Sequence, residues 1–166
     1  MSKLQPFLNV ADHFCALNEC AMNACHQFNM QGFKRLHRFY SREFFDKSLK
    51  VRNFSLDFLQ EPLYSEGSDT IHTPSSLKES MSVFISNMQA LLKKLAEANN
   101  AYRADYGVGF GCGEEMMKCM AMLLCKFRRW YDRFEKNGWA AHDLFVLDNW
   151  LHAKYKEREA TYIAQE

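Results

Sequence analysis

The sequence has few of the residues that interrupt regular structure. Only three prolines and seven glycines occur among its 166 residues. Because these two residues most often mark turns and the ends of helices and strands, their scarcity favours a few long helices over many short strands. The chain also lacks a charge imbalance, since its formal net charge is +1. The composition therefore gives no long-range field that would draw the protein to nucleic acid or to a membrane.

Two further absences concern the cell compartment. No apolar run approaches the ~18 residues that a bilayer-spanning helix needs, and the first residues, MSKLQPFLNV, do not resemble a signal peptide. We therefore expect a cytoplasmic protein without a membrane partner. No Cys-x-x-Cys pair occurs among the six cysteines, which argues against a structural zinc site and favours reduced thiols, mostly in the core.

Apolar residues recur at three- and four-residue steps over most of the chain, which is the pattern of amphipathic helices. The pattern predicts one domain covering residues 1–166. Its helical segments are expected at about residues 7–30, 33–59, 77–106, 114–136 and 140–163. In the second segment, the apolar residues on or near the predicted inward stripe are Phe33, Leu36, Tyr40, Phe44, Leu49 and Leu56.

Three breaks separate these segments. Gly32 is the predicted break between the first two, and four glycines make residues 106–113 a turn. Residues 60–76 hold two of the three prolines and form a loop long enough to cross the length of a helix bundle. This loop ends at Ser76, a candidate N-cap for the third helix with Glu79 as its partner. Two helices, a long crossover and further helices predict an all-α fold, a ferritin-like four-helix bundle, with a fifth helix if the last segment is separate from the fourth.

Residues 8–49 resemble the first two helices of the Dps-type mini-ferritins. Leu8-Asn9 precedes His26 at the distance found in that family. FNMQG at residues 28–32 stands for the family's turn, and FKRLH at residues 33–37 stands for the opening of its second helix. The resemblance implies a homo-oligomer that binds Fe(II) between subunits and oxidises it, a ferroxidase-like activity.

His26 and His37 inherit the role of iron ligands from this resemblance. Imidazole and carboxylate oxygens suit Fe(II), but the sequence departs from the family pattern at the carboxylates. The two histidines are one residue closer together than in the family, and Ser41 stands where the family has a carboxylate. Glu19 and Glu43 are the substitutes that could complete a metal site with the two histidines.

A second hypothesis is a non-enzymatic helical protein that uses its fold for assembly or partner binding. The stretch FYSREFF, residues 39–45, has more aromatic side chains than one buried stripe accepts, so part of it is expected at the surface or at an interface. Two rows of basic residues also permit binding to nucleic-acid phosphates, although the small net charge gives this partner weak support. The rows consist of Lys34, Arg38 and Arg42, and of Lys126, Arg129, Arg133 and Lys136.

Overall fold

The computed structural model describes residues 2–65 and 73–165, with side chains as far as Thr161. This part of the chain is helical and contains no strand, so the all-α prediction is confirmed. A short π-helical turn, Ser55–Leu59, continues the second helix. The five helices are α1 (Gln5–Gln27), α2 (Gln31–Phe54), α3 (Leu77–Tyr106), α4 (Gly111–Lys136) and α5 (Ala141–Gln165). Of the predicted crossover, residues 66–72 lie outside the described residues.

The predicted start of α3 is confirmed in detail. The Ser76 side chain accepts a hydrogen bond of 3.1 Å from the backbone N–H of Glu79. The Glu79 carboxylate in turn accepts from the backbone N–H of Ser75 at 3.1 Å. Together these bonds satisfy donors that the first turn of a helix leaves without partners, which fixes where the chain leaves the crossover.

α1 is antiparallel to both α2 and α3. Along the contact with α2, Asp12 lies beside Ser48 and Asn18 lies beside His37, so the numbers run in opposite directions. The contact with α3 shows the same order, because the Phe7 ring meets Tyr102 near the end of α3. Further along, the Phe14 ring meets Phe84 near its start.

α4 is antiparallel to α3 and to α2. The backbone N–H of Phe110, just before α4, donates to Asn99 near the end of α3. At the other end of the pair, Lys78 and Glu135 form an ion pair of 2.6 Å. α2 and α3 therefore run in the same direction, which requires the connection between them to return along the length of the molecule.

The core between these four helices is rich in aromatic rings. Phe14, Phe44, Phe84 and Phe127 are fully buried and contact one another through neighbouring pairs. Aromatic side chains bury large apolar areas, so this cluster contributes strongly to the stability of the fold. It occupies the centre of the molecule.

α5 runs parallel to α2 and covers one side of it. Gly32 makes this contact possible, because a Cβ atom at that position would lie 1.8 Å from the backbone oxygen of Asp148. The Asp148 carboxylate accepts a hydrogen bond of 2.9 Å from the backbone N–H of Phe33. The side chain of Met30, the residue before α2, makes no capping hydrogen bond. The cap of α2 is therefore supplied by Asp148 of α5.

The predicted break at Gly32 is therefore misplaced by a few residues. Helix α1 ends at Gln27 and α2 begins at Gln31, which leaves Gly32 inside the first turn of α2. Asn29 takes the left-handed backbone conformation between the helices, with φ of +60°. Asparagine tolerates that conformation better than most residues, and the glycine serves close helix packing instead.

Two residues of the predicted inward stripe of α2 face outward. Leu49 and Leu56 are 44% and 54% exposed, whereas Phe33, Leu36 and Phe44 are buried as expected. At 3.6 residues per turn, Leu49 and Leu56 lie almost directly below Phe45, which is itself 56% exposed. We call Phe45, Leu49 and Leu56 the outer face of α2.

Among the described residues, no helix combines the length and apolar character that a bilayer crossing requires.

Candidate functional site

His37 lies in the centre of the molecule and not at a surface. Its side chain is buried, and its ring contacts Phe84 and Phe127 with centroid distances of 4.7 and 5.6 Å. Its Nδ1 lies 3.0 Å from Oδ1 of Asn18. Because an amide oxygen can only accept, Nδ1 carries the proton and donates it to Asn18. Asn18 in turn donates from Nδ2 to the backbone oxygen of Phe14.

This environment keeps the imidazole of His37 neutral. Burial lowers its pKa from 6.5 to about 3, because the aromatic core solvates the charged form poorly. A histidine that binds a metal must be neutral, so the protonation state of His37 is by itself compatible with coordination. The aromatic surroundings are not, since the neighbouring rings of Phe84 and Phe127 offer no oxygen or nitrogen donor to a metal.

His26 lies at the end of α1 and is exposed. Its Nδ1 is 3.0 Å from Nζ of Lys34, and the ammonium must be the donor in this bond. A lysine cation therefore occupies one of the two ring nitrogens, and its charge repels a metal ion. His26 and His37 thus belong to different environments, one solvated and one enclosed.

The two candidate carboxylates lie on opposite sides of α2. Glu19 is exposed and accepts a weak hydrogen bond of 3.4 Å from Ser41, on the side of α2 that faces α1. Glu43 is half-buried on the side that faces α4, where its charge acts on Lys47 and Cys119. Helix α2 itself therefore separates the two residues.

The four predicted ligands do not form one cluster in this structure. Within residues 2–65 and 73–161, no three side chains of His, Cys, Asp or Glu are grouped closely enough to hold a metal ion. Arg52 lies 3.8 Å from Asp12 in an ion pair. The residues present do not fit a metal centre inside the bundle, and iron binding by His26, His37, Glu19 and Glu43 stays a prediction.

The cysteines offer no activated nucleophile. All six are free thiols, in agreement with the expected reduced state. Burial raises the pKa of Cys25 to about 12 and that of Cys119 to about 11. Thiols with such values stay protonated at neutral pH and react slowly. Cys25 belongs to the core, and Cys15, Cys112 and Cys119 are half-buried and pack against it, so the expected core position is confirmed for Cys25 and in part for these three, whereas Cys125 is exposed.

A comparison of the sequence with known protein families and with curated proteins finds no match.

Two residues that organise this region were not among the predicted site residues. Asn18 was visible in the sequence as the polar member of the apolar stripe of α1, and such a residue is often a buried hydrogen-bond partner. The sequence did not indicate that Asp148 is buried, because an aspartate in the middle of a helix is usually solvated. Its role depends on the close approach of α5 to α2.

Proposed function

We propose that this chain is a divergent ferritin-like protein that retains the helical scaffold and assembles with copies of itself. The order and direction of the helices carry the proposal. α1 with α2 and α3 with α4 are antiparallel pairs, and the long connection between them leaves α2 and α3 running in the same direction. Ferritin-like bundles have this arrangement, and the resemblance of residues 8–49 to the mini-ferritins agrees with it.

The scaffold is proposed without a ferroxidase site in the centre of the bundle. The reason is the environment of His37, which pairs with Asn18 and lies against Phe84 and Phe127. Fe(II) oxidation through His26, His37, Glu19 and Glu43 is the competing hypothesis, and it requires these residues to meet across an interface between subunits.

The outer face of α2 is the surface that we propose for assembly. Phe45, Leu49 and Leu56 lie along one side of the helix and are exposed. Exposed apolar side chains on one side of a helix often mark protein interfaces, and here Arg52, which pairs with Asp12, lies between Leu49 and Leu56. The aromatic surface expected for residues 39–45 is smaller than predicted, because Tyr40 and Phe44 are buried and Phe39 packs against Tyr155.

Light scattering on the purified protein tests the assembly. We expect a mass that is a multiple of 19.5 kDa, and we expect Phe45→Lys to shift the protein to a smaller species. Val108→Lys is the matched control, since Val108 is exposed to a similar extent, 66% against 56%, but lies in the turn before α4. A monomeric wild-type protein would refute assembly and leave the scaffold without a shell.

Anaerobic Fe(II) titration followed by oxygen exposure tests the competing hypothesis. The proposal predicts that His37→Leu leaves the stoichiometry of Fe(II) binding and the rate of oxidation equal to those of the wild type. Loss of stoichiometric iron binding in His37→Leu, with an unchanged oligomer mass, would favour the ferroxidase hypothesis over the scaffold.

A further inference from the structure

A groove of about 340 Å³ lies between α2 and α4 on the side away from α1. It is lined from α2 by Tyr40 and Lys47, and from α4 by Glu115, Lys118, Cys119 and Lys126. The groove has the size of a site for a small ligand. Met122 and Leu123 add an apolar part to its wall.

Two cations of α5 adjoin this groove. The charge of Arg158 acts on Cys119 and Tyr40, and its guanidinium lies 5.3 Å from the centre of the Tyr155 ring. Lys154 lies close enough to Lys126 for the charge of Lys126 to act on it. We call the groove with Lys47, Lys118, Lys126, Lys154 and Arg158 the basic groove.

Carboxylates balance only part of this positive charge. Lys47 forms an ion pair of 2.6 Å with Glu115, and Glu43 is the other carboxylate that acts on the groove residues. Five cations and two carboxylates leave an excess of three positive charges. Among the side chains described, no carboxylate forms an ion pair with Lys118, Lys126, Lys154 or Arg158.

Lys154 shows the energetic effect of this arrangement. Partial burial together with the charges of Lys126 and Arg158 lowers its pKa from 10.5 to about 8. Its ammonium lies 4.7 Å from the centre of the Trp150 ring, which holds it in place by a cation–π contact. A fixed lysine beside two further cations is repelled by them unless an anion lies between them.

We propose that the basic groove binds a small multivalent anion of the phosphate class, either inorganic phosphate and pyrophosphate or a phosphate ester. A multivalent anion matches the excess of three charges, whereas a single carboxylate would leave most of it unbalanced. Lysine ammoniums bind phosphate oxygens as point charges, and the guanidinium of Arg158, whose charge acts on Tyr40 and Cys119 of the lining, adds directed donors. Of the four predicted iron ligands, Glu43 adjoins this groove, whereas His26, Glu19 and His37 lie elsewhere.

Titration calorimetry on the full chain with pyrophosphate, inorganic phosphate and a simple sugar phosphate tests the proposal. We expect saturable binding with one site per chain. Lys126→Gln with Lys154→Gln should weaken the affinity by about tenfold or more, since the loss of one charge-assisted contact is of that order. Lys93→Gln with Lys94→Gln is the matched control, because both lysines are exposed on α3, and its affinity should stay within about twofold.

Trp150 provides a second readout that depends on the site. Binding of the anion should draw Lys154 toward it and change the Trp150 fluorescence, and Trp150→Phe should abolish that change while binding persists in calorimetry. Arg158→Gln, on the rim of α5, serves as a further variant if the double lysine variant fails to fold. The comparison of phosphate with the sugar phosphate identifies the source, because an ester-specific site binds the ester more tightly.

Three results would overturn the proposal. The first is no saturable binding of any of the three anions by the wild type. The second is an equal loss of affinity in the α3 control, which would mean non-specific attraction. The third is an affinity of Lys126→Gln with Lys154→Gln for pyrophosphate that stays within about twofold of the wild type, since the anion would then bind elsewhere on the chain.

Discussion

The Asn18–His37 hydrogen bond should show strong coupling in a double-mutant cycle. His37→Leu leaves the buried Oδ1 of Asn18 without a donor, at a cost of about 1–3 kcal/mol. It also removes the ring contacts with Phe84 and Phe127, worth about 0.5–1.5 kcal/mol. The additional apolar burial of leucine returns about 1 kcal/mol. The net loss is therefore about 1–3 kcal/mol.

Asn18→Leu should cost a similar amount, because it leaves the Nδ1–H of His37 unsatisfied. The double variant removes both polar groups at once, so its stability should lie within about 1 kcal/mol of the wild type. Urea unfolding followed by far-UV circular dichroism at one protein concentration measures this. With a slope near 2 kcal/mol per molar urea, each single variant should lower the midpoint by about 0.5–1.5 M. A double variant that loses the sum of the two single losses would refute the structural role of this pair.

The remaining predictions concern packing, capping and pH. Gly32→Ala should lower the free energy of unfolding by about 3 kcal/mol, because its Cβ would meet the Asp148 backbone. The control Gly111→Ala has open space for a Cβ, so its stability in urea unfolding should be unchanged or slightly higher. Equal effects of the two substitutions would contradict the close approach of α5. Ser76→Ala should lower the free energy of unfolding by about 1 kcal/mol, because it removes the N-cap of α3. No change would mean that the first turn of α3 is frayed in solution. Burial lowers the pKa of His37 from 6.5 to about 3. Above pH 6.5 the imidazole is neutral in both the folded and the unfolded chain, so the full stability is present. As the pH falls from 6.5 toward 3, the unfolded chain binds a proton that the folded chain does not, and the free energy of unfolding falls by up to about 1.4 kcal/mol per pH unit. Urea midpoints at several pH values should therefore show the wild type losing its advantage over His37→Leu on acidification, and a constant difference would contradict the neutral buried state.

The sequence predicted helix positions well because long amphipathic helices leave a periodic signal in local residues. The third helix was placed correctly from its unbroken apolar stripe and from the Ser76 cap, both of which are local features. Leu49 and Leu56 were misplaced because Leu49 follows Phe44 by five residues, whereas a stripe on one helix face needs steps of three or four. At 100° per residue these two leucines leave the buried side that Phe44 occupies.

The candidate site could be predicted only in part, because its properties depend on contacts between distant helices. The resemblance to the mini-ferritins singled out His37 as a candidate ligand but not its surroundings, which come from α1, α3 and α4. Of the cations of the basic groove, the sequence pattern indicated only Lys126. Lys154 and Arg158 could not be assigned to the groove, because they reach it through the parallel packing of α5 on α2. No pattern within either helix encodes that packing, and only the size of Gly32 permits it.

The cap that Asp148 places on α2 has a consequence for biosynthesis. The bond joins residues 115 positions apart, and a ribosome adds about 5–20 residues per second. Roughly 6–23 s therefore pass between the synthesis of Phe33 and that of its capping carboxylate, while helices form in about a microsecond. During this interval the nascent α1–α2 hairpin exists with an open N-terminal end on α2, the surface that a chaperone would meet first.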